Sequence, residues 1–462
     1  MEHSGRETSK RAVPSAPSFC VNGCVVALSA CRPDSRTVSA KAIMPAVTIK
    51  GLRVGVVGGS VAGSVTAAEL VRLGADVTVF ERSRHLEDRG AGISIALSLL
   101  ETLKQRGLVD ADIAYLPVFK RRFVIRCEEE SQHLGRTIWE QSFAAGSTNW
   151  DVLYGQLRRR VPDAIFRQGC HVVSISEQAD GEVSLELADG NALRFELVVC
   201  ADGYDSLGRR TLFPAHEPRY VGYIIWRGLI PESKVDDVAS FESGRVFAVY
   251  EGGHAVFYLV PGRDGQRETG SRRLNWGIYD KVTREDLRGI LTDANGTMRR
   301  GSLPPGAASD AQVHYVHTLA HTHLPGFAAQ VVCATDRPFV QAIYEARVPA
   351  YHRGRVCLIG DASTVARPHT GAGSVKAITD ALALSNALGS MASLDSALQA
   401  WDNERCAAGN ELVSLGQALG EALVTRVPDW RAMNPETMER WYAEVIAGKR
   451  WYEIDEMTKE RR

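Results

Sequence analysis

Apolar residues recur along this chain with two periods, and the switches between them divide it into elements. Val54 to Val57 is an unbroken valine-rich run, the pattern of a strand buried on both faces in a parallel sheet. It breaks at Gly58-Gly59-Ser60-Val61-Ala62-Gly63, after which apolar residues return at helical spacing. A second buried run, Asp76 to Phe80, ends on Glu81. Strand, glycine turn, helix, strand and acid make a βαβ unit. A polar link over 82–89 leads through Gly90-Ala91-Gly92-Ile93 to a helix with Ile95, Leu99 and Leu103 on one face, stopping at Gly107. Arg121 to Cys127 and Arg136 to Trp139 read as short strands, and Trp150 to Val161 as a helix burying Leu153, Leu157 and Val161. Val172 to Ser176, Val183 to Leu187 and Leu193 to Val199, separated by the turns QADGE and ADGN, predict an antiparallel meander.

Strand patterning dominates from Tyr220 to Tyr279: YVGYIIWRG (220–228), then Arg245 to Tyr250, His254 to Val260 and Leu274 to Tyr279. These predict a second sheet and a second domain. Residues 281–345 read as mostly helical or irregular. A buried strand, Arg355 to Ile359, then ends in Gly360-Asp361. Pro368, Gly371 and Gly373 lead into a helix over Ser374 to Leu388, and the tail from Leu394 is helical, with Trp401, Trp430, Trp441 and Trp451 in a polar background. The expected fold is α/β. A Rossmann-like dinucleotide-binding domain, discontinuous in sequence (50–210 and 346–395), accompanies a β-sheet substrate domain (211–345) and C-terminal helices (396–462).

Composition narrows the partners. At 462 residues the chain exceeds one compact core. A net charge of −1, with Arg158-Arg159-Arg160 as the one basic block, speaks against nucleic acid and anionic membranes. No apolar run approaches the roughly 20 residues of a membrane span. The 9 cysteines are dispersed, apart from Cys20 and Cys24, without metal-ligand spacing, which fits reduced thiols in a cytoplasmic protein. Residues 1–43 are rich in Ser, Ala, Arg and Pro and lack periodicity, so they read as a disordered extension or as residues upstream of a working start at Met44. Arg and Ser content also suits a transit peptide, but the amphipathic helix of such a leader is missing.

Chemistry concentrates in three glycine–acid motifs. In the first, Gly58 allows a tight turn and Gly63 a close helix–strand contact, while Gly59 and Ser60 let the backbone approach a pyrophosphate at the helix N-terminus. Ser60 replaces the middle glycine of the usual G-x-G-x-x-G. Glu81, followed by Arg82, can accept hydrogen bonds from an adenosine ribose, and an acid there disfavours a 2′-phosphate. The second motif, D-G-x-x-S-x-x-R, runs from Asp202 and Gly203 to Arg209 directly after a buried strand; it also fits a structural turn with an ion pair. The third is Gly360-Asp361, Pro368, Gly371 and Gly373-Ser374, where Asp361 could equally serve as a helix N-cap.

Taken together, the three motifs resemble the FAD-dependent aromatic-ring monooxygenases with the p-hydroxybenzoate hydroxylase fold, over roughly residues 50 to 415. Within that family the likeness is greatest to members that hydroxylate dihydroxypyridines. It is carried by Ser60, YVGYIIWRG (220–228), HAVFYLVPGR (254–263), and Arg367-Pro368-His369 ahead of the final GAG. Trp150 stands where many members have an arginine near the flavin, again similar to the dihydroxypyridine branch. The resemblance implies FAD as cofactor, with contacts at Gly58, Gly59, Ser60, Gly63, Glu81, Arg82, Gly92, Asp202, Gly203, Arg209, Gly360, Asp361, Pro368, Gly371, Gly373 and Ser374. NADH or NADPH would be a transient reductant docking in a groove, O2 and a small aromatic compound the co-substrates, and a homodimer is admitted. The implied reaction is hydroxylation of an electron-rich monocyclic ring by a flavin C4a-hydroperoxide.

Such a ring needs a hydroxyl proton removed. Strand alternation places His254, Val256, Tyr258 and Val260 on one face and Tyr223, Ile225 and Arg227 on another. Tyr223, Arg227, His254, Tyr258 and His369 are therefore the candidate catalytic residues, although each also fits a structural role. An oxidase, halogenase or reductase of the same fold is the alternative within the class, and a non-catalytic FAD-binding protein the alternative outside it. No W-x-W-x-I-P halogenase signature is present.

Overall fold

A computed structural model describes residues 49–84, 92–127, 133–242 and 244–449. The 1–43 extension, Gly90-Ala91 and Trp451 lie outside the described residues. The βαβ unit comes first, as β1 (Arg53–Val57), α1 (Val61–Arg72) and β2 (Asp76–Glu81). The chain continues through β3 (Gly92–Ile95), α2 (Leu97–Gln105), β4 (Leu116–Ile125), β5 (Arg136–Asn149) and α3 (Trp150–Arg158). Then come β6 (Phe166–Gln168), β7 (Val172–Glu177), β8 (Val183–Leu187), β9 (Ala192–Phe195), β10 (Leu197–Cys200) and α4 (Leu207–Leu212). The middle of the chain holds β11 (Arg219–Pro231), α5 (Ala239–Glu242), β12 (Arg245–Tyr250), β13 (Gly253–Val260), β14 (Arg273–Lys281), α6 (Leu287–Ile290), β15 (Ser302–Leu303), α7 (Asp310–His323), α8 (Gly326–Cys333) and β16 (Phe339–Glu345). It closes with β17 (His352–Arg353), β18 (Val356–Leu358), α9 (Gly373–Ser390), α10 (Leu394–Gly420) and α11 (Pro435–Ile446).

Three sheets result. The first is six-stranded in the order β17-β18-β10-β1-β2-β6. Within it β1 pairs in parallel with both β2 and β10, and β10 in parallel with β18. Val54, Val56, Val198 and Val199 are fully buried, as the continuous valine runs require of a strand covered on both faces. The second sheet has nine strands, β15-β16-β11-β14-β13-β12-β4-β5-β3, and β7-β8-β9 form a third of three strands.

The nine-stranded sheet alternates cleanly. Ile224, Trp226, Ala255, Phe257 and Trp276 pack on one side with Phe327 and Val331 of α8. Tyr223, Ile225, Val249 and Tyr279 pack on the other with Leu415 and Leu419 of α10. The two residue faces read from the sequence on β11 and β13 are thus one face of one sheet.

Several elements differ from expectation. Ile95 ends β3 rather than starting a helix, because Gly92 to Ile95 pair with Gly146 to Asn149. The run Leu193 to Val199 is two strands in two sheets, since the chain leaves β9 at Phe195 and re-enters the parallel sheet at Leu197. Arg136 to Trp139 is only the start of a 14-residue strand, and Phe339 to Glu345, in a region read as helical or irregular, is a strand beside β11. The nine-stranded sheet also takes β3, β4 and β5, so it draws on residues 92–149 and not only on 211–345.

Gly63 sets the closest approach in the first layer, because a Cβ built there overlaps the carbonyl oxygen of Gly58. Gly63→Ala should therefore destabilise the protein by about 1–3 kcal/mol, the usual cost of overpacking. Urea unfolding measures this, and an unchanged midpoint would show that α1 can move away freely.

Candidate active site

Four parallel strands end side by side, and each passes directly into a motif residue. β1 runs into Gly58, β2 finishes on Glu81, β10 leads through Ala201 to Asp202, and β18 leads through Ile359 to Gly360-Asp361. Ligands of open α/β sheets bind beyond these carboxyl ends. A cavity of about 360 Å³ lies there, and its walls include Gly58, Ser60, Glu81, Asp202, Asp361 and Gly373. Arg82, Gly203 and Ser374 also face it, as does Trp150, whose ring stacks on Tyr154 at 4.9 Å.

The local chemistry explains how the ends are held. Glu81 accepts hydrogen bonds from the Gly59 N–H (2.8 Å) and the Ser83 N–H (2.7 Å), tying the second strand to the glycine turn. Gly58 adopts φ +97°, and a Cβ there would strike the Ala201 carbonyl of the next strand. Asp202 Oδ2 accepts from Leu207 N at 2.6 Å at the start of α4, while Oδ1 is buried with no partner among the described residues. Burial pushes this carboxyl above its usual range, opposed by hydrogen bonds from Ser206 and the backbone. Gly203 and Gly373 have nothing within 4 Å of an added Cβ.

Not every expected residue reaches the cavity wall. Arg209 is buried, donating to the carbonyls of Asp361 (2.8 Å), Ala362 (3.1 Å) and Tyr204, so it joins the second motif to the third. Arg210 lines the cavity instead. Gly59, Gly360, Pro368 and Gly371 shape turns behind the wall, and Gly63 lies in α1, packed on the Gly58 carbonyl. Pro368 opens a single 3₁₀ turn that Gly371 closes at φ +60°. The sequence reading missed Cys170 and His171, which follow the short strand β6 and also line the cavity.

The five catalytic candidates fall into two groups. His254, His369 and Tyr223 converge: Tyr223 Oη lies 2.9 Å from His369 Nε2, and the His254 and His369 rings are 5.2 Å apart. Tyr279, not foreseen, stacks on both, at 4.5 Å from His254 and 4.2 Å from His369. The Nδ1 atoms of both histidines are buried without a hydrogen-bond partner among the described residues. Burial lowers the His254 pKa to about 3. Burial, aided by His254 and Arg367, lowers that of His369 well below its ordinary value. Arg227 and Tyr258 instead converge on the Gly92 carbonyl, at 3.2 and 2.8 Å, while Asn275 Oδ1 receives the Gly92 N–H at 2.8 Å.

Comparison with known proteins identifies the family. Residues 53–109 match a family described as pyridine nucleotide-disulphide oxidoreductase, 220–345 one described as FAD binding domain-like, and 341–415 one described as FAD binding domain. The chain is 30% identical to 2,6-dihydroxypyridine 3-monooxygenase of Paenarthrobacter nicotinovorans, over 78% of this chain and 88% of that one. It is 28% identical to salicylate hydroxylase of Pseudomonas putida, over 77% and 82% respectively. The solved structure of 2,6-dihydroxypyridine-3-hydroxylase from Arthrobacter nicotinovorans superposes with a TM-score of 0.75 at 28% identity, covering 85% of this chain and 97% of that one.

A dinucleotide-type βαβ unit sharing one cavity with two further glycine–acid motifs defines a flavoprotein oxidoreductase. The chain belongs to the FAD-dependent aromatic-ring monooxygenases. The cavity fits FAD on its own evidence, through the unshared Asp202 Oδ1 and the open space at Gly203 and Gly373. Among the described residues no helix is long and apolar enough to cross a membrane.

The open space at Gly373 and the burial of His254 each have a measurable consequence. Gly373→Leu projects into open space, so the thermal midpoint of the apoprotein should hold while FAD content, read by absorbance, falls at least several-fold. Full flavin content would place the ring system elsewhere. The second concerns pH. The unfolded chain takes up a proton at His254 near the ordinary 6.5, whereas the folded chain does so only near 3. That stability is complete above pH 6.5 and is lost as pH falls toward 3, by up to about 1.4 kcal/mol per pH unit; His369 acts in the same direction. The urea midpoint should drop from pH 7 to pH 5, and His254→Asn should flatten the drop. An equally steep decline in the variant would contradict the burial argument.

Proposed function

We propose that this enzyme hydroxylates an electron-rich monocyclic aromatic compound of the hydroxypyridine or phenol kind, using NAD(P)H and O2. The observation that carries the reading is the buried pair His254 and His369, each with an unshared Nδ1, set among the aromatic faces of Tyr223 and Tyr279. A planar ring can stack on such faces, and its hydroxyl can hydrogen-bond to a neutral imidazole. Burial alone holds His254 neutral. A substrate oxyanion beside it supplies the opposite charge that favours the protonated ring, so proton transfer from substrate hydroxyl to His254 is assisted by the substrate itself. The deprotonated ring oxygen then donates electron density into the ring. Tyr223 holds His369 through its Nε2, leaving Nδ1 as the second polar point for orienting the substrate.

On this reading the N-terminus of α1, over Gly58 to Ser60, holds the pyrophosphate, with Glu81 and Arg82 at the ribose. Asp361 holds the ribityl chain, and Gly373-Ser374 meet the flavin edge that gains negative charge on reduction. Bound FAD supplies the electron path from NAD(P)H to O2 and the transfer of the oxygen atom. Arg227 and Tyr258 act through Gly92, whose carbonyl they fix. The free cysteines among the described residues support a reducing, cytoplasmic setting. A homodimer is compatible with this reading.

The relatives named for dihydroxypyridine and salicylate hydroxylation support a small hydroxylated ring as substrate. The test is a screen of hydroxypyridines and phenols for stimulated NAD(P)H oxidation with product formed per NAD(P)H consumed. His254→Ala should lower hydroxylation by about 10²- to 10⁴-fold, the range of general-base assistance, while FAD stays bound. Wild-type rate and coupling in that variant would remove His254 from the mechanism. Stimulation by multi-ring compounds alone would overturn the substrate class.

A further inference from the structure

An ionic cluster beneath the third motif plays no part in the chemistry described so far. Lys376, in the first turn of α9, is buried; its ammonium donates to the Gly360 carbonyl (2.7 Å), Ser363 Oγ (2.9 Å) and Asp380 Oδ2 (2.8 Å). The same Asp380 oxygen accepts the Gly360 N–H at 3.0 Å, and its other oxygen accepts Arg405 Nε at 2.9 Å. Both the N–H and the carbonyl of Gly360 are therefore held by one lysine–aspartate pair. Gly360 sits at φ +59°, and the direction the chain takes there sets where Asp361 enters the cavity.

Two cations, Lys376 and Arg405, meet the single buried carboxylate of Asp380. The second carboxylate at Arg405, Glu404, lies 3.5 Å away and is 67% exposed, so solvent screens it. A third cation, Arg209, reaches the carbonyls of Asp361 and Ala362 from the other side. Arg209 is itself faced by Asp202, Asp361 and Asp205, so the cations of the floor behind Gly373 and Ser374 that balance against one shared carboxylate are Lys376 and Arg405, in a medium where charge is weakly screened. The N-terminus of α9 adds a dipole of the same sign.

We propose that Lys376 is a positioning residue of the flavin site: it fixes the exit of Asp361 from β18 and biases the cavity toward the reduced, anionic flavin. A buried ammonium in a weakly screened medium favours the more negative of two ligand states, so its removal disfavours the reduced flavin more than the oxidised one. The inference depends on the flavin site and not on the choice of aromatic substrate.

The test therefore uses the full chain with FAD and no substrate. The dissociation constant of oxidised FAD is read by flavin fluorescence and the two-electron potential by dye-coupled titration, for Lys376→Met, Lys376→Arg and Asp380→Asn. Lys376→Met should weaken oxidised FAD about tenfold and reduced FAD about tenfold more. That added tenfold lowers the potential by about 30 mV. Lys376→Arg should retain the wild-type potential, and Asp380→Asn, which leaves the cations unopposed, should raise it. Should Lys376→Met fail to fold, Lys376→Gln is read in its place. Opposite shifts for the lysine and aspartate variants support the proposal. A wild-type potential in the lysine variant, or shifts of the same sign in both, overturns it and leaves the pair a purely structural bridge.

Discussion

The approach of α1 to the end of β1 is the constraint from which the site follows. Gly63 has no side chain to hold the helix off, so its backbone packs against the Gly58 carbonyl and the helix N-terminus points across the strand ends. Ser64 Oγ adds a tie to the Gly59 carbonyl at 2.8 Å, and Glu81 holds the Gly59 N–H from the neighbouring strand. Because β1 has parallel partners on both sides, its placement passes to β2 and to β10, and from β10 to β18. Three motifs far apart in sequence become one cavity wall because their strands share one direction.

The parts legible in the sequence are those whose cause is local. A glycine at φ +97°, an acid at a strand end and a valine run each declare themselves without knowledge of a partner strand. That is why the fingerprint, the Asp202 turn and the Gly360-Asp361 corner could be placed. What stayed hidden depended on pairing. β6 is three residues long with one buried side chain, too short to show a period, yet it carries the chain to Cys170 and His171 at the cavity. The break at Glu196 between β9 and β10 leaves no polar cluster to mark a change of sheet. Arg209 and Arg210 look alike in sequence; only the turn of α4 sends one inward to carbonyls and leaves the other at the cavity.

Alternation was enough to put His254 and Tyr258 on one face, but not to say what they meet. Residues on one face of a long strand lie several ångströms apart, so one end can serve a different partner from the other. His254 lies opposite Tyr279 in register, whereas Tyr258 lies opposite Asn275, beside the incoming β3. The Gly92 carbonyl takes up Tyr258 and Arg227, and a side chain on Gly92 would collide with Asn275. The sheet thus separates a polar row that anchors β3 from an aromatic group that keeps two unshared nitrogens.

That aromatic group owes its burial to the C-terminal helices. Gly416 and Gly420 on α10 face Arg367 and Tyr223, and an added Cβ at Gly420 would strike the Tyr223 hydroxyl and the Arg367 guanidinium. Only glycines let the helix come so near. The helix then widens into a π turn over Glu421–Thr425, which brings the Leu423 backbone to the His254 ring. Trp430 Nε1 donates to the Tyr250 carbonyl at 3.2 Å and seats the following segment on the sheet edge. Desolvation is the main cause of the low His254 and His369 pKa values, so the packing of α10 and the acid–base character of the site are one property. A helix held one side chain further out would admit water and return both imidazoles toward their ordinary range.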